Sequence, residues 1–331
     1  MEAVKFCVIG SGSWGTALAI HLARCGHRVF IWGPETDQLE AMERDRRNDQ
    51  FLPGINLPDS LTPEYDLSTA VNAADVILMA APSHVFESAL LNLKPLLKPS
   101  SKFMWATKGF TKEGEFLHAV VERVCPELPY AVLSGPSFAL EVAKGLPTMV
   151  TAASKDLEYA KEIAGYFSNS NFRVYTSNDV IGVQVGCAVK NVLAVAVGIS
   201  DGLGYGANTR SALMTRGLAA MMRLGESLGA RRETLMGLSG LGDMILTCTD
   251  DLSRNRRFGL ALGKGQSIDE AVKAIGQVVE SIHTVDQVLK LAAQHDIEMP
   301  IVEQVKSIIS GNIKPDQALE ILFNRPLTQE F

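Results

Sequence analysis

The sequence has few residues that could form disulfide bridges or a metal site. Its five cysteines are scattered, without a CxxC pair, and most of them stand in apolar stretches. Its six histidines lack the HExxH spacing and any comparable pairing. We therefore expect the cysteines to be small buried side chains in a protein of a reducing compartment, and we expect no metal site.

The sequence also lacks a surplus of basic residues. Lys and Arg number 31 against 37 Asp and Glu, which gives a formal net charge of -6. A general nucleic-acid binder carries a basic surface, so this balance argues against a nucleic-acid partner. The apolar fraction of 47% and the charged fraction of 21% are those of a globular protein, and 331 residues are enough for two domains.

The sequence predicts neither a secretion signal nor a membrane span. The first residues have no basic segment followed by an apolar one, so we expect a cytoplasmic protein. Residues 180–199 are mostly apolar but include Gln184, Lys190 and Asn191. Because a charge at the bilayer centre costs about 3 kcal/mol, we expect a buried helix of a soluble protein and no membrane span.

The first half of the sequence alternates short apolar strands with helices. A helix is predicted for residues 16–24, ending near Gly26. This pattern indicates an α/β domain whose mostly parallel sheet is covered on both faces. The predicted strands are residues 4–9, 28–32, 75–80, 102–107, 130–134, 148–152 and 172–175.

The motif GSGSWG at residues 10–15 lies between the first predicted strand and the first helix. Gly10 permits a tight turn, Gly12 lets a pyrophosphate approach the backbone, and Gly15 lets helix and strand pack closely. The helix N-terminus then offers free N–H groups to the phosphates. With a second strand following, the motif predicts dinucleotide binding rather than a purely structural glycine turn.

The choice between NAD and NADP stays open at this point. NAD-specific domains usually place an acid about twenty residues beyond the glycines. Glu35 has that spacing but follows Gly33 and Pro34, and no arginine stands there to bind a 2′-phosphate.

Lys108 directly follows a predicted strand, at the edge where parallel sheets bind ligands. It is either a solvated loop lysine or a contact to substrate or cofactor, and its position alone does not decide between them.

The second half shows no strand pattern, so we expect an all-α domain over residues 186–331, after a dinucleotide domain over residues 1–185. Glycine-rich loops are predicted at residues 201–206 and 237–243.

Lys190 stands inside an apolar helix, where burial disfavours a charged amine and lowers its pKa toward the range useful for proton transfer. The alternative is a side chain that extends to the surface. We favour catalysis because Asn191 is adjacent and glycine-rich segments flank the helix.

Three further segments carry candidate groups. Asp243 could cap the next helix, pair with a lysine or bind a substrate hydroxyl, and the sequence leaves these roles open. Ser253 is a predicted N-cap, and helix N-termini favour anions. Because Arg254 and its basic neighbours open this helix, we expect a pocket for a phosphorylated substrate.

Taken together, these segments resemble NAD(P)-dependent glycerol-3-phosphate dehydrogenases of the bacterial type. The resemblance extends from Val4 to at least Glu280. The segments that carry it are residues 10–17 (GSGSWGTA), 105–109 (WATKG), 134–139 (SGPSFA), 188–191 (AVKN), 240–243 (GLGD), 246–248 (LTC), 253–255 (SRN) and 276–280 (GQVVE).

The resemblance implies a Rossmann-type domain followed by an all-helical domain, and interconversion of dihydroxyacetone phosphate and sn-glycerol 3-phosphate for phospholipid synthesis. It favours NADP, although Pro34 stands where the family often has a basic residue; Ser281 replaces a common glycine. A homodimer is expected. The implied cofactor contacts are Ser13, Trp14, Lys108, Ala139, Arg254, Val278 and Glu280. The implied substrate contacts are Lys108, Gly135, Ser137, Lys190, Asp243, Ser253, Arg254 and Asn255.

In this scheme Lys190 exchanges the proton, Lys108 adds a second positive charge, and Asp243 orients Lys190 or binds a substrate hydroxyl. Two other functions are weighed against it. One is a dehydrogenase of the same architecture that acts on a hydroxy acid. The other is a redox-sensing module that binds the dinucleotide without turnover, which would need neither the buried lysine nor a second phosphate site.

Overall fold

The computed structural model describes residues 3–326 and Gln329. The chain divides into two compact units, Met1–Gln184 and Val185–Phe331. Met1 and Glu2, where no secretion signal is predicted, lie outside the described residues, as does the expected domain end at residue 331.

The first unit contains one eight-stranded sheet with the order β3-β2-β1-β4-β5-β6-β7-β8. Only β6 and β7 pair antiparallel; the other neighbours are parallel. The expected mostly parallel sheet is therefore confirmed. The strands are β1 (Lys5–Ile9), β2 (Arg28–Trp32), β3 (Leu61–Pro63), β4 (Val76–Met79), β5 (Lys102–Trp105), β6 (Tyr130–Ser134), β7 (Thr148–Ala153) and β8 (Phe172–Ser177).

Helices connect these strands, and the helix after the last strand begins at the end of the first unit and continues into the second. Two short 3-10 helices occupy Ser83–Val85 and Lys94–Leu96. The α-helices are α1 (Ser13–Arg24), α2 (Thr36–Asp45), α3 (Leu67–Ala73), α4 (Phe86–Leu93), α5 (Leu117–Val124), α6 (Ala139–Lys144), α7 (Leu157–Phe167) and α8 (Val180–Gly202).

Side chains of the same strand pack into two separate cores. On β1, Phe6 and Val8 belong to one buried cluster, whereas Cys7 and Ile9 belong to another. Successive side chains of a strand point to opposite faces, so this division shows that both faces of the sheet are covered. It explains why these strands are continuous apolar runs in the sequence.

The predicted strands are all present, with ends that differ by at most two residues. Helix α1 begins at Ser13 rather than residue 16, and Gly12 is its N-cap. Strand β3 was not predicted. It consists of Leu61, Thr62 and Pro63 at the sheet edge, where a proline that cannot donate a ladder hydrogen bond is tolerated.

Strand order reverses at β1, whose neighbours are β2 on one side and β4 on the other. Connections to the two neighbours leave a crevice beyond the carboxyl ends of β1 and β4, which is where open α/β sheets bind ligands. The GSGSWG motif follows β1 at this position.

The described part of the second unit is helical and contains no strand, as expected. The predicted loop at residues 201–206 is shorter than expected, since Asp201 and Gly202 form the last turn of α8. Residues Leu238–Gly242 form a π-helix rather than an open loop. The helices are α9 (Gly206–Ser227), α10 (Arg232–Met236), α11 (Asp243–Thr249), α12 (Arg254–Gly263), α13 (Ile268–Ile275), α14 (Ser281–Gln294), α15 (Pro300–Ile309) and α16 (Pro315–Phe323).

Helix α8 is long and apolar enough to cross a membrane, with a mean hydropathy of 1.9 in its most apolar window. However, 89% of that window is buried inside the protein, which is typical of a core helix.

The five cysteines are free thiols, and all but Cys25 are buried. Burial raises the pKa of the Cys248 thiol to about 12, so it is a packed apolar side chain rather than a reactive group.

Candidate active site

The glycine turn after β1 fits a dinucleotide. Gly10 has φ +115°, and a Cβ there would lie 2.9 Å from the Ala80 backbone. A Cβ on Gly15 would lie 1.8 Å from the Gly10 carbonyl oxygen, so helix and turn are in contact. At Gly12, by contrast, a Cβ would meet nothing within 4 Å. The two outer glycines are therefore required by the fold, while Gly12 faces open space at the N-terminus of α1, where a pyrophosphate can approach.

A buried polar network holds the turn in place. Gln38 and Asn48 each donate a side-chain N–H to the Ser11 carbonyl oxygen, at 2.6 and 2.8 Å. The Ser11 hydroxyl donates to Gln38 Oε1 at 2.8 Å, and Asn48 also donates to Thr16 Oγ1 at 2.7 Å. Because these groups are buried and satisfied, they fix the direction of the turn's peptide groups before any ligand binds.

Lys108 lies among three other predicted site residues of the first unit. Its Nζ is 3.4 Å from the Gly135 carbonyl oxygen and 5.9 Å from the centroid of the Trp14 ring. Ser137 Oγ donates to the same Gly135 oxygen at 2.9 Å. Gly135 has φ +142°, and a Cβ there would lie 2.9 Å from Val150 Cα, so only glycine fits. A cationic group therefore lies at the ligand edge of the sheet, among the ends of several elements.

Two other predicted cofactor residues of this unit are also placed. The Ser13 hydroxyl donates to the Phe51 carbonyl oxygen at 2.6 Å, which leaves its backbone N–H at the start of α1 as the group that can bind phosphate. Ala139 is the first residue of α6 and packs against the core. The Trp14 ring is oriented by a hydrogen bond from its Nε1 to the Ala106 oxygen at 3.1 Å.

The second unit contains a buried ion pair between Lys190 and Asp243. Lys190 Nζ lies 2.6 Å from Asp243 Oδ1, and it donates to Thr247 Oγ1 at 2.9 Å. The Thr247 hydroxyl in turn donates to the Asp243 carbonyl oxygen at 2.6 Å. The side chains of Lys190 and Asp243 are only 6% and 1% exposed, so Lys190 does not extend to the surface.

Two opposite effects act on the protonation of the Lys190 amine. Burial disfavours its charged form, as expected from the sequence, but the Asp243 carboxylate favours it. Such a pair holds an ammonium ready to donate a proton while its direction is fixed by two partners. Asp243 is the first residue of α11 rather than its N-cap, which is Gly242. Of the roles left open for Asp243, pairing with the lysine is the one observed.

The start of α12 has groups that suit an anion, and we call residues 253–255 the anion-binding turn. Ser253 is the N-cap, and its hydroxyl accepts from the Arg256 backbone N–H at 3.2 Å, as predicted. Arg254 Nη1 lies 3.3 Å from Gln277 Oε1, and Asn255 Oδ1 accepts from the Ser281 N–H at 3.3 Å. Free helix N–H groups, a guanidinium and an amide here suit a phosphate.

Glu280 links the two predicted substrate elements. Its Oε2 accepts from Asn191 Nδ2 at 3.0 Å, beside Lys190, while the next residue, Ser281, donates to Asn255. The predicted cofactor residue Val278 is 48% exposed. In the described residues, no group of three or more His, Cys, Asp and Glu side chains could hold a metal ion.

Comparison with known proteins identifies the family. Residues 5–160 match the NAD-dependent glycerol-3-phosphate dehydrogenase N-terminus, and residues 179–320 match the C-terminus of the same family. The chain is 53% identical to glycerol-3-phosphate dehydrogenase [NAD(P)+] of Alkalilimnicola ehrlichii over 321 residues, which cover 96% of each chain. It belongs to the NAD-dependent glycerol-3-phosphate dehydrogenase family.

Two further members of this dehydrogenase family support the same assignment. The enzyme of Xanthomonas campestris pv. campestris is 48% identical over 329 residues, 99% of this chain and 96% of the relative. The crystal structure of glycerol-3-phosphate dehydrogenase from Coxiella burnetii superposes with a TM-score of 0.95 at 44% identity, covering 98% of this chain and 99% of that one. The family resemblance, the fold and the assignment as an NAD- or NADP-dependent oxidoreductase are confirmed.

Several groups of this dehydrogenase received no role from the sequence. Thr247 stands four residues after Asp243, so both side chains share one face of α11, and this spacing could have indicated it. The contacts of Asn191 with Glu280 and of Arg254 with Gln277 join distant segments, and no local pattern indicates them. The same holds for Gln38 and Asn48.

Proposed function

We propose that this protein transfers hydride reversibly between a nicotinamide cofactor and the pair dihydroxyacetone phosphate and sn-glycerol 3-phosphate. The observation that carries the proposal is the buried Lys190–Asp243 pair, with Lys190 Nζ 2.6 Å from Asp243 Oδ1. A module that only senses the dinucleotide has no use for a buried, oriented ammonium, whereas ketone reduction requires a proton donor.

Lys190 is the proposed proton donor. When a ketone is reduced, negative charge develops on its oxygen, and the Lys190 ammonium stabilises this charge and gives up a proton. In the reverse direction the neutral amine takes the hydroxyl proton. A bound nicotinamide supplies the hydride in one direction and accepts it in the other. Asp243 and Thr247 hold the amine in place, and Lys108 adds a second positive charge.

The substrate phosphate is proposed to bind at the anion-binding turn. Ser253, Arg254 and Asn255 provide the helix N-terminus, the guanidinium and the amide. Gly135 and Ser137 are proposed as separate substrate contacts. Because the phosphate is remote from the reacting carbon, its binding energy positions the carbonyl group. A keto acid without a phosphate would leave these groups unused.

The dinucleotide is proposed to bind the first unit, so that residues 1–185 act as the cofactor domain and residues 186–331 as the catalytic domain. Glu35 and Pro34 follow β2, where the choice between NAD and NADP is usually made. The proposed cofactor contacts are Gly10, Gly12, Ser13, Trp14, Gly15, Lys108, Ala139, Arg254, Val278 and Glu280.

We propose further that the protein acts as a homodimer in the cytoplasm and supplies glycerol 3-phosphate for phospholipid synthesis. The five free thiols support a reducing compartment. Sedimentation equilibrium checks the dimer, since a monomeric mass at micromolar concentration would refute it.

The deciding experiment is turnover of dihydroxyacetone phosphate with NADH and NADPH in parallel, followed by the absorbance of the reduced nicotinamide. We expect oxidation of one or both cofactors with dihydroxyacetone phosphate and little with 2- and 3-keto acids. Preference for a keto acid would indicate a hydroxy-acid dehydrogenase. Cofactor binding without turnover of any ketone would indicate a binding module.

A further inference from the structure

Helices α8 and α12 are in direct backbone contact. A Cβ on Gly198 of α8 would lie 2.2 Å from the Arg256 carbonyl oxygen, and a Cβ on Gly259 of α12 would lie 2.1 Å from the Val195 carbonyl oxygen. Real Cβ atoms essentially never approach other atoms below 3.0 Å. The two helices therefore could not lie this close if either residue carried a side chain.

The contact continues one turn further along both helices. A Cβ on Gly202 would lie 2.6 Å from the Leu260 carbonyl oxygen, and a Cβ on Gly263 would lie 2.3 Å from the Ile199 carbonyl oxygen. In all four cases the obstacle is backbone, which cannot rotate away as a side-chain end can. The spacing of α8 and α12 is consequently fixed over two turns.

A buried ion pair fixes the same two helices. Asp201 of α8 accepts from Arg256 of α12, with Asp201 Oδ2 2.9 Å from Arg256 Nη2. The side chains are 7% and 10% exposed. Arg210 of α9 pairs with the other oxygen of Asp201 at 3.0 Å. Because the Arg256 backbone N–H also donates to the hydroxyl of the N-cap Ser253, this pair connects α8 directly to the anion-binding turn.

Both helices carry groups that we assign to the substrate. Lys190 precedes Val195 on α8 by five residues, or about 7.5 Å along the helix axis, and the anion-binding turn lies at the start of α12. The contact between α8 and α12 therefore determines how far the proton donor lies from the phosphate site.

Resting on the proposed function, we propose that the glycine contact between α8 and α12 sets the substrate length that the enzyme accepts. It does so by fixing the distance between the Lys190 amine and the anion-binding turn. Gly198, Gly202, Gly259 and Gly263 are positioning residues, since none of them is assigned to the substrate. A phosphorylated ketone fits when its carbonyl and phosphate are separated by the length that this distance allows.

The test is Gly259→Ala, because the added methyl group must push α12 away from α8. Two substrates are compared: dihydroxyacetone phosphate and 4-hydroxy-3-oxobutyl phosphate, which has one more methylene between ketone and phosphate. We expect kcat/KM for dihydroxyacetone phosphate to fall about tenfold or more, mainly through KM, and to fall much less for the longer substrate. The ratio of the two values should move about tenfold toward the longer substrate.

The control is Gly225→Ala. It is also a buried helical glycine, but its Cβ would meet the flexible Leu235 side chain, at 2.5 Å, rather than backbone of α8 or α12. Loss of folded protein alone would lower apparent kcat equally for both substrates and leave the ratio unchanged. The expected result is therefore a changed ratio in Gly259→Ala and an unchanged ratio in Gly225→Ala.

A second variant covers the case in which Gly259→Ala does not fold. Asp201→Asn removes the ion pair to Arg256 without adding volume, and it should shift the ratio in the same direction by a smaller factor. A wild-type ratio in the folded variants would overturn the proposal while leaving the proposed function intact. Failure of the wild-type protein to reduce dihydroxyacetone phosphate would instead overturn the proposed function itself.

Discussion

Lys190 Nζ and Asp243 Oδ1 are 2.6 Å apart, in side chains that are 6% and 1% exposed. A second lysine–aspartate pair, Lys306 with Asp286, has the same separation of 2.6 Å, but its side chains are 37% and 57% exposed. The two pairs have the same chemistry in different surroundings. Because burial determines the cost of leaving a charge unpaired, they form a matched comparison.

Asp243→Asn is expected to destabilise the protein by about 3 kcal/mol, since it leaves the buried Lys190 ammonium without a counter-charge. Turnover should fall as well, because the amine loses one of the two partners that orient it. The free energy of unfolding is measured by urea denaturation. The control is Asp286→Asn, for which we expect a loss below about 1 kcal/mol. Equal losses in the two variants would contradict the role of burial.

Lys190→Ala is expected to lower kcat about a hundredfold or more, because it removes the proposed proton donor. NADH affinity, measured by fluorescence titration, should remain that of the wild type, since the glycine turn is unchanged. Lys306→Ala serves as the control and should keep full turnover. Near-normal kcat in Lys190→Ala would remove Lys190 from its proposed role.

The sheet could be predicted because its strands are buried on both faces. In β1, Phe6 and Cys7 point into different cores, so the strand is a continuous apolar run rather than an alternating one. Strand β3 has three residues including Pro63, which is too short and too unlike a strand to be recognised. The GSGSWG motif could be placed because strand, turn and helix are consecutive in the sequence.

The partners within the candidate site could not be predicted from local patterns. Lys190 and Asp243 are 53 positions apart in the sequence, and a buried lysine does not indicate which carboxylate pairs with it. Likewise, Asn48 reaches the Ser11 carbonyl oxygen from a loop 37 residues away. These contacts depend on how helices and loops pack in the folded protein. The spacing of residues along a single sequence does not indicate that packing.

Gly12→Ala should leave the fold intact and weaken NADH binding about tenfold or more. A Cβ there meets no protein atom within 4 Å, but it fills the space that a pyrophosphate would approach. Because Gly12 is the N-cap of α1, we expect a loss of stability of only about 1 kcal/mol. NADH titration and urea denaturation measure the two effects.

Gly15→Ala gives the matched comparison for Gly12→Ala. Its Cβ would lie 1.8 Å from the Gly10 carbonyl oxygen, so the substitution should destabilise the protein by about 2 kcal/mol or more. Gly12→Ala is therefore expected to affect mainly NADH binding, whereas Gly15→Ala is expected to lower the free energy of unfolding. Wild-type NADH affinity in Gly12→Ala would show that the dinucleotide does not approach this peptide group.

His21→Gln should make the stability of the protein less dependent on pH. Burial lowers the pKa of His21 from 6.5 to about 4, partly opposed by its hydrogen bond to the Phe167 carbonyl oxygen, 2.7 Å from Nε2. Between pH 6.5 and 4 the unfolded chain then binds a proton that the folded protein does not. The contribution of neutral His21 is thus complete above pH 6.5 and is lost as the pH falls toward 4, by about 3 kcal/mol in total.

Urea denaturation at several values between pH 7 and 4.5 measures this effect. Other groups titrate in the same range, among them His27, whose pKa burial also lowers, but they do so in both proteins. The difference in slope between wild type and His21→Gln therefore isolates His21. His295→Gln, at an exposed position, controls for the substitution itself. If His21→Gln lost stability with falling pH as steeply as the wild type, His21 would not be a neutral buried side chain in the folded protein.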